Sequence, residues 1–198
     1  KEPETHETHN DFTVTDYYMR GSTFRRLQRY NEALSDLDNA IRLAPDFFPA
    51  YNTRGLTYSE SHEHEKALAD YAQALRINPY HSSIYNNRGV TYVNLQRYKE
   101  AFTDFSKAIK LNSKYAKAYY NRGYAYSELQ DYETAIKYYS QAIALDDKYL
   151  KAYYNRASVY IKLHQHENAL ADISRVIQLD PGYVDAYHYR GISYNALQ

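Results

Sequence analysis

Six arginines recur at intervals of 34 residues, or multiples of it, and form the most regular set of charged side chains in the sequence. They are Arg20, Arg54, Arg88, Arg122, Arg156 and Arg190. A row of exposed guanidinium groups could bind phosphates. Each arginine, however, lies within a packing pattern of Tyr and Gly, with Ala157 in place of the Gly after Arg156, and a partly buried guanidinium requires a partner. Carboxylates recur further along the chain at Asp36, Asp70, Asp104 and Asp172, so we predict internal ion pairs such as Arg88 with Asp104.

Histidines are the candidate metal ligands, and they form two His-x-His pairs. His62 and His64 make one pair, and His164 and His166 make the other. A zinc site needs three or four converging ligands, and pairs that lie three repeats apart cannot converge. We therefore interpret these histidines as solvated turn residues and expect no metal.

Catalytic constellations are missing from the sequence. The chain contains no cysteine, which excludes a thiol nucleophile and a disulfide framework. We find neither a nucleophile with a plausible base nor a glycine-rich phosphate loop. The sequence predicts a non-enzyme without a cofactor.

Composition restricts the partners and the compartment. The 198 residues include 24 Lys plus Arg and 24 Asp plus Glu, so net charge exerts no overall pull toward nucleic acid or anionic membrane. No apolar run approaches the length of a bilayer span, and residues 1–13 lack the hydrophobic segment of a signal peptide. We expect a cytoplasmic protein that binds neither nucleic acid nor membrane.

The motif Tyr-x-x-Arg-Gly divides the chain into repeats of 34 residues. It begins at Tyr17, Tyr51, Tyr85, Tyr119 and Tyr187, and a variant begins at Tyr153. We predict a flexible leader at 1–13 and a single repeat domain at 14–198. Its predicted boundaries are 14–47, 48–81, 82–115, 116–149 and 150–183, with a half repeat at 184–198.

Each repeat is predicted to contain two helices. Tyr85, Gly89 and Tyr92 are spaced by four and three, like residues on one face of a first helix. Apolar residues of the second helix follow helical spacing as well, and prolines stand where it must end, at Pro45, Pro79 and Pro181. Glycine inside a helix costs about 1 kcal/mol relative to alanine. We therefore expect the repeated Gly to permit close approach of the paired helices, opposite the small Ala of the second helix.

The 34-residue period, the aromatic and glycine positions of the first helix and the terminal proline resemble the tetratricopeptide repeat. That resemblance implies an all-α fold, in which antiparallel helix pairs stack into a right-handed superhelical solenoid and first helices line a concave groove for partner peptides. The chain departs from the family pattern by the Arg before each Gly and at Ser61, Ser113 and Asp147. With Ala157 and Val176 both off pattern, the fifth repeat should pack differently from the others.

The first-helix face opposite the buried stripe is the candidate groove lining. The candidate peptide-binding residues on this face are Tyr18, Asn52, Asn87, Lys117, Tyr120, Asn121, Tyr124, Lys151, Tyr154 and Asn155. Three of them, Asn87, Asn121 and Asn155, occupy one position of successive repeats, and an amide can donate to and accept from a peptide backbone. Such a row is similar to the asparagine ladder of some tetratricopeptide proteins. The alternative is that these amides are merely solvated.

A carboxylate clamp of the kind found in co-chaperones of heat-shock chaperones fits the sequence less well than an asparagine ladder. Its middle part is matched by Asn87 with Lys117, or by Asn121 with Lys151. The positions that need a further Asn carry Ser22, Leu56 and Val90.

These observations favour a protein–protein interaction adaptor or scaffold that binds extended partner segments in the groove. The alternative is a structural assembly module that docks on a folded subunit or self-associates through its ends. The apolar face of the half repeat, with Tyr187, Gly191, Tyr194 and Leu197, has no second helix to cover it. We expect either that the chain continues into another helix or that this end docks on a neighbouring molecule.

Overall fold

The computed structural model describes residues 12–198, so the predicted leader at 1–13 lies outside that range except for Phe12 and Thr13. The described residues form eleven α-helices, and the chain divides into two compact units after Pro79. The helices of the first unit are α1 (Val14–Arg26), α2 (Tyr30–Leu43), α3 (Phe48–Glu60) and α4 (His64–Ile77). Those of the second are α5 (Ser82–Asn94), α6 (Tyr98–Leu111), α7 (Ala116–Glu128), α8 (Tyr132–Leu145), α9 (Leu150–Lys162), α10 (His166–Leu179) and α11 (Val184–Ala196).

The odd-numbered helices begin at the first residue of each predicted repeat, from Val14 to Val184. Each of them except α11 packs against the even-numbered helix that follows it. The predicted all-α fold of paired helices is therefore confirmed.

A tight turn joins the two helices of every full repeat. Its central residue has a positive φ, between 56° and 65°, and is Gln28, His62, Gln96, Gln130 or His164. In the third repeat the Arg97 N–H donates to the Tyr92 carbonyl and the Gln96 N–H donates to the Val93 carbonyl, both at 2.8 Å. This hydrogen-bond pattern is that of a Schellman motif, although glycine is the usual residue at the left-handed position. Two of the histidines considered as metal ligands thus serve as turn residues. His64 and His166 instead begin α4 and α10, and His166 is buried, so the prediction of a solvated turn residue is wrong for His166.

The repeated glycines allow close helix contact as predicted, but larger side chains of the second helix lie nearer to them than the predicted alanine. A Cβ built on Gly89 would lie 2.7 Å from the Phe105 ring, and one on Gly55 would lie 2.8 Å from the Tyr71 ring. The predicted alanine neighbour contributes only its backbone, because the nearest Ala33 atom to Gly21 is its carbonyl oxygen at 3.2 Å. The glycine therefore makes room mainly for the large side chain at the middle of the second helix.

The predicted ion pairs are present in four repeats. The Arg88 Nε and Nη2 donate to the two Asp104 carboxylate oxygens at 2.7 and 2.8 Å. The same two-bond arrangement joins Arg20 to Asp36, Arg54 to Asp70 and Arg156 to Asp172. The carboxylates are buried, and a fork of two charge-assisted bonds fixes the height of one helix against the other.

Several of these arginines also reach the second helix of the preceding repeat. The Arg54 Nη1 donates to Asp38 at 2.6 Å, and the Arg156 Nη1 donates to the Ser140 hydroxyl at 2.7 Å. Arg122 has Tyr138 where the other repeats have Asp, and its guanidinium lies 4.5 Å from that ring centroid while donating to Ser106 at 3.1 Å. Such an arginine thus links its own first helix to the second helix of the same repeat and to the second helix of the preceding repeat.

The last two repeats meet in an aliphatic cluster. The buried residues Ala157, Ile173, Val176 and Ala186 pack together, so Ile173 takes the place of the ring found in repeats two to four. Ala186 belongs to α11, which therefore covers α10.

Candidate functional site

The predicted binding residues fall in both units. Tyr18 and Asn52 lie on α1 and α3 of the first unit, where Tyr18 packs edge-on against Phe47 at a centroid distance of 5.3 Å. The others lie on α5, α7 and α9 of the second unit. Most of the predicted residues therefore belong to residues 80–198, the second unit.

The asparagine amides of α7 and α9 contact the preceding first helix. The Asn121 Nδ2 donates to Asn86 Oδ1 at 2.8 Å, and the Asn155 Nδ2 donates to the Tyr120 hydroxyl at 2.8 Å. Asn86 is fully buried, and Asn121 and Asn155 are half-buried, so the alternative of merely solvated amides does not hold for these two. The nitrogen of each amide carries a second N–H, and the carbonyl oxygen of each amide has two lone pairs. These amides can therefore join adjacent helices and still contact a ligand.

Tyr124 separates two cavities on this surface. The apolar cavity, of about 180 Å³, is lined by Val90, Val93, Asn94, Phe105, Tyr120, Asn121 and Tyr124. The polar cavity, of about 120 Å³, is lined by Tyr124, Ser127, Glu128, Tyr139, Asn155, Ser158 and Lys162. The first belongs to the gap between α5 and α7, and the second to the gap between α7 and α9.

The two cavities differ in chemistry. Valine side chains and aromatic rings form most of the lining of the apolar cavity, together with the amides of Asn94 and Asn121. This lining suits an aliphatic or aromatic side chain. The polar cavity contains hydroxyl and amide groups together with the exposed, oppositely charged Glu128 and Lys162. It suits a side chain that both donates and accepts hydrogen bonds.

The tyrosine hydroxyls of the polar cavity remain protonated at neutral pH. Burial raises the pKa of Tyr139 well above its ordinary value of 10.0 and outweighs hydrogen bonds with Ser127 and Asn155. Burial also raises the pKa of Tyr124, and the nearby Glu128 carboxylate adds to that effect. Both hydroxyls can therefore donate as well as accept.

The remaining predicted residues line neither cavity. Lys117 and Lys151 are exposed in the first turns of α7 and α9. Tyr154 stacks on Tyr189 at 5.1 Å with an interplanar angle of 1°, so its ring already has an aromatic partner. Asn87 is half-buried beside Asn86.

Sequence reasoning missed Phe105 and Tyr139, which come from second helices. Each ring packs against the glycine of its own repeat, Gly89 or Gly123, and borders a cavity on the first-helix side. An aromatic residue sixteen positions after a first-helix glycine was the available signal.

A third cavity, of about 210 Å³, is lined by Ser113, Tyr119, Gln141, Ala144 and Leu145. It lies away from Tyr124 and includes none of the predicted binding residues. Between Phe12 and Gln198, no three His, Cys, Asp or Glu residues are placed to hold a metal ion. No helix within this range is both long and apolar enough to cross a bilayer.

Stacked helix pairs with pockets between their first helices define the class of helical repeat proteins that act as interaction modules. The chain belongs to the tetratricopeptide repeat family. That family matches residues 48–81, 116–149 and 150–183, and related repeat families match 17–47, 71–103 and 91–130. No curated protein sequence matches the chain.

Solved structures share the fold. A tetratricopeptide repeat protein from Parabacteroides merdae is 27% identical, with a TM-score of 0.76 over 96% of this chain and 75% of that one. A thermophilic tetratricopeptide protein of Thermus thermophilus is 22% identical, with a TM-score of 0.76 over 93% of this chain and 99% of that one. YrrB, a tetratricopeptide protein with an unusual peptide-binding site, is 21% identical, with a TM-score of 0.64 over 90% of this chain and 92% of that one.

Proposed function

We propose that residues 80–198 bind an extended segment of a partner protein across α5, α7 and α9, and that the chain acts as an adaptor without catalytic activity of its own. The observation that carries this proposal is the pair of chemically different cavities on either side of Tyr124. YrrB, which has a similar fold, has a peptide-binding site, and this supports peptide binding as the mode of interaction.

The bound segment places an aliphatic or aromatic side chain in the apolar cavity and a polar side chain in the polar cavity. Burial of one Val, Leu, Ile or Phe side chain contributes about 1.5–3 kcal/mol. Neighbouring helix axes are about 8–10 Å apart. An extended segment in the polyproline II conformation advances about 3.1 Å per residue and returns a side chain to the same side every three residues, so the two side chains are about three residues apart. The amides of Asn121 and Asn155 face the backbone between them.

Selection from a display library of short random peptides on the full chain tests the proposal. We expect enriched sequences that combine an apolar residue with a polar residue about three positions away. Val90→Phe fills the apolar cavity and should weaken binding of a selected peptide roughly ten- to hundredfold, because it removes the burial of one apolar side chain.

Lys110→Ala is the control, since this exposed residue of α6 lies outside both cavities. Thermal unfolding of both variants establishes that they fold. Peptides that bind the wild-type chain and Val90→Phe with equal affinity would contradict the proposal.

A further inference from the structure

Glu128 is the last residue of α7, and it brings a negative charge to the polar cavity. The side chain is exposed and lines that cavity with Asn155, Ser158 and Lys162. Within the described residues Glu128 forms no ion pair. Its neighbour on α7 is the Tyr124 hydroxyl, whose pKa the carboxylate helps to raise. A neutral hydroxyl does not compensate the charge of the carboxylate.

Lys162 is the one basic residue among the described residues that line this cavity. Its Nζ lies 5.3 Å from the Tyr132 ring centroid, and Tyr132 does not line the cavity. The attraction of an ammonium to the face of a ring holds the Lys162 charge at the start of α8. The Glu128 carboxylate therefore remains the uncompensated charge of the polar cavity.

The end of α7 adds to the negative potential. A helix C-terminus carries roughly half a negative elementary charge, which a basic residue in the last turn usually offsets. The last turn of α9 contains Lys162, whereas the last turn of α7 contains no basic residue. Lys117, in the first turn of α7, is about 16 Å away along the helix, beyond the screening length of about 8 Å at physiological ionic strength. The end of α7 thus favours a cation supplied from outside the chain.

The first unit shows what a glutamate at this repeat position binds. Glu60 ends α3 as Glu128 ends α7. The Arg25 Nη1, from the preceding first helix, donates to Glu60 Oε1 at 2.6 Å. In the repeat before Glu128, the position of Arg25 is occupied by Val93, which lines the apolar cavity. The chain therefore supplies a guanidinium to Glu60 and none to Glu128.

We infer that the partner segment supplies this guanidinium, by placing an arginine in the polar cavity where it donates to Glu128. The inference rests on the proposed function and specifies the polar side chain that the cavity prefers. Hydroxyl and amide oxygens of Ser127, Asn155 and Ser158 are available to the other N–H groups of the guanidinium. Tyrosine rings, which also line the cavity, are frequent neighbours of bound guanidinium groups. The preferred segment has an arginine about three positions from its apolar residue.

Selection of random displayed peptides on two forms of the full chain tests the inference. One form is the wild type and the other is Glu128→Lys, which changes an exposed side chain. We expect the wild type to enrich arginine about three positions from an apolar residue, and Glu128→Lys to enrich aspartate or glutamate there. Glu133→Lys is the matched control, since Glu133 is exposed in the first turn of α8 and lines neither cavity. It should select the same peptides as the wild type.

A selected peptide then measures the contact with Glu128 alone. Citrulline in place of its arginine keeps the shape of the side chain and removes the charge. This change should weaken binding to the wild type by about five- to tenfold, because a charge-assisted hydrogen bond is lost. Glu128→Gln should bind the arginine and citrulline peptides with affinities equal within about twofold. Circular dichroism establishes that each variant is folded.

The outcomes separate this inference from the proposed function. Enriched peptides that combine an apolar and a polar residue without a preference for arginine would overturn the inference and leave the proposed peptide binding intact. The same loss on citrulline substitution in the wild type and in Glu128→Gln would also overturn it, because the arginine would then contact another group. Absence of any enriched peptide would contradict both.

Discussion

Among single residues, the arginine before each glycine contributes most directly to the arrangement of neighbouring helices. Arg54 illustrates this role, because its guanidinium contacts Asp70 of its own repeat and Asp38 of the preceding one. Its fork geometry matches a carboxylate, which a lysine cannot reproduce. The stripe that resembles a phosphate-binding track in the sequence is therefore part of the internal packing.

Removal of one carboxylate tests how much an Arg–Asp pair contributes to the free energy of unfolding. We expect Asp104→Ala to lower the free energy of unfolding by about 2–3 kcal/mol, below the usual range for a broken buried pair because Arg88 retains some solvent contact. Urea denaturation measures the change. Ser106→Ala, which removes a neutral and exposed partner of Arg122, should lower it by less than about 1.5 kcal/mol. Equal losses in the two variants would refute the assigned role.

Among helices, the pairing of first and second helices depends on the absence of a side chain at one position. Gly89 leaves room for the Phe105 ring, which then reaches the cavity on the first-helix side. The Phe105 ring thus contributes both to the contact between the paired helices and to the lining of the apolar cavity.

The five glycines allow a matched test of this packing. Gly89→Leu should lower the free energy of unfolding by about 1–3 kcal/mol, since a new side chain must displace the Phe105 ring. Gly191→Leu should leave stability unchanged or raise it by up to about 1 kcal/mol, because nothing lies within 4 Å and leucine favours helix. Thermal or urea unfolding compares the two. Similar destabilisation by both substitutions would show that the glycine contact is misassigned.

The repeat boundaries and the Arg–Asp pairs were predictable because both rest on residues that recur at one spacing. The left-handed backbone of the turns was not predictable, since Gln96 and its equivalents adopt it without the glycine that normally signals it. The bonds from Asn121 to Asn86 and from Asn155 to Tyr120 were also missed. Each joins two first helices whose relative height depends on packing, which periodicity along one helix does not describe.

For the whole molecule, buried members of the 26 tyrosines make the free energy of unfolding depend on pH in the alkaline range. Burial raises the pKa of Tyr115, Tyr120, Tyr139 and Tyr149 above the ordinary value of 10.0. The unfolded chain therefore loses these protons first as the pH rises. The stabilisation is complete below pH 10 and is lost as the pH rises through the higher pKa values of the folded state.

We expect the free energy of unfolding to be nearly constant up to a pH just below 10 and to fall above it. Tyr139→Phe should make the alkaline decline shallower, since one strongly shifted hydroxyl is removed. Tyr80→Phe is the control, because Tyr80 is 78% exposed. Urea unfolding across this pH range measures the slopes, and equal slopes in the two variants would be inconsistent with the raised pKa of Tyr139.

The central claim is that a partner segment lies across Tyr124 on the first-helix side of residues 80–198. Photo-crosslinking of a display-selected peptide tests it most directly, with a benzophenone amino acid placed at position 124 or at position 119. Tyr119 borders the separate cavity with Gln141 and Leu145, so it reports on a different surface. We predict a peptide adduct from position 124 that maps beside the apolar anchor of the peptide. An adduct from position 119 alone, or equal yields from both positions, would contradict the claim.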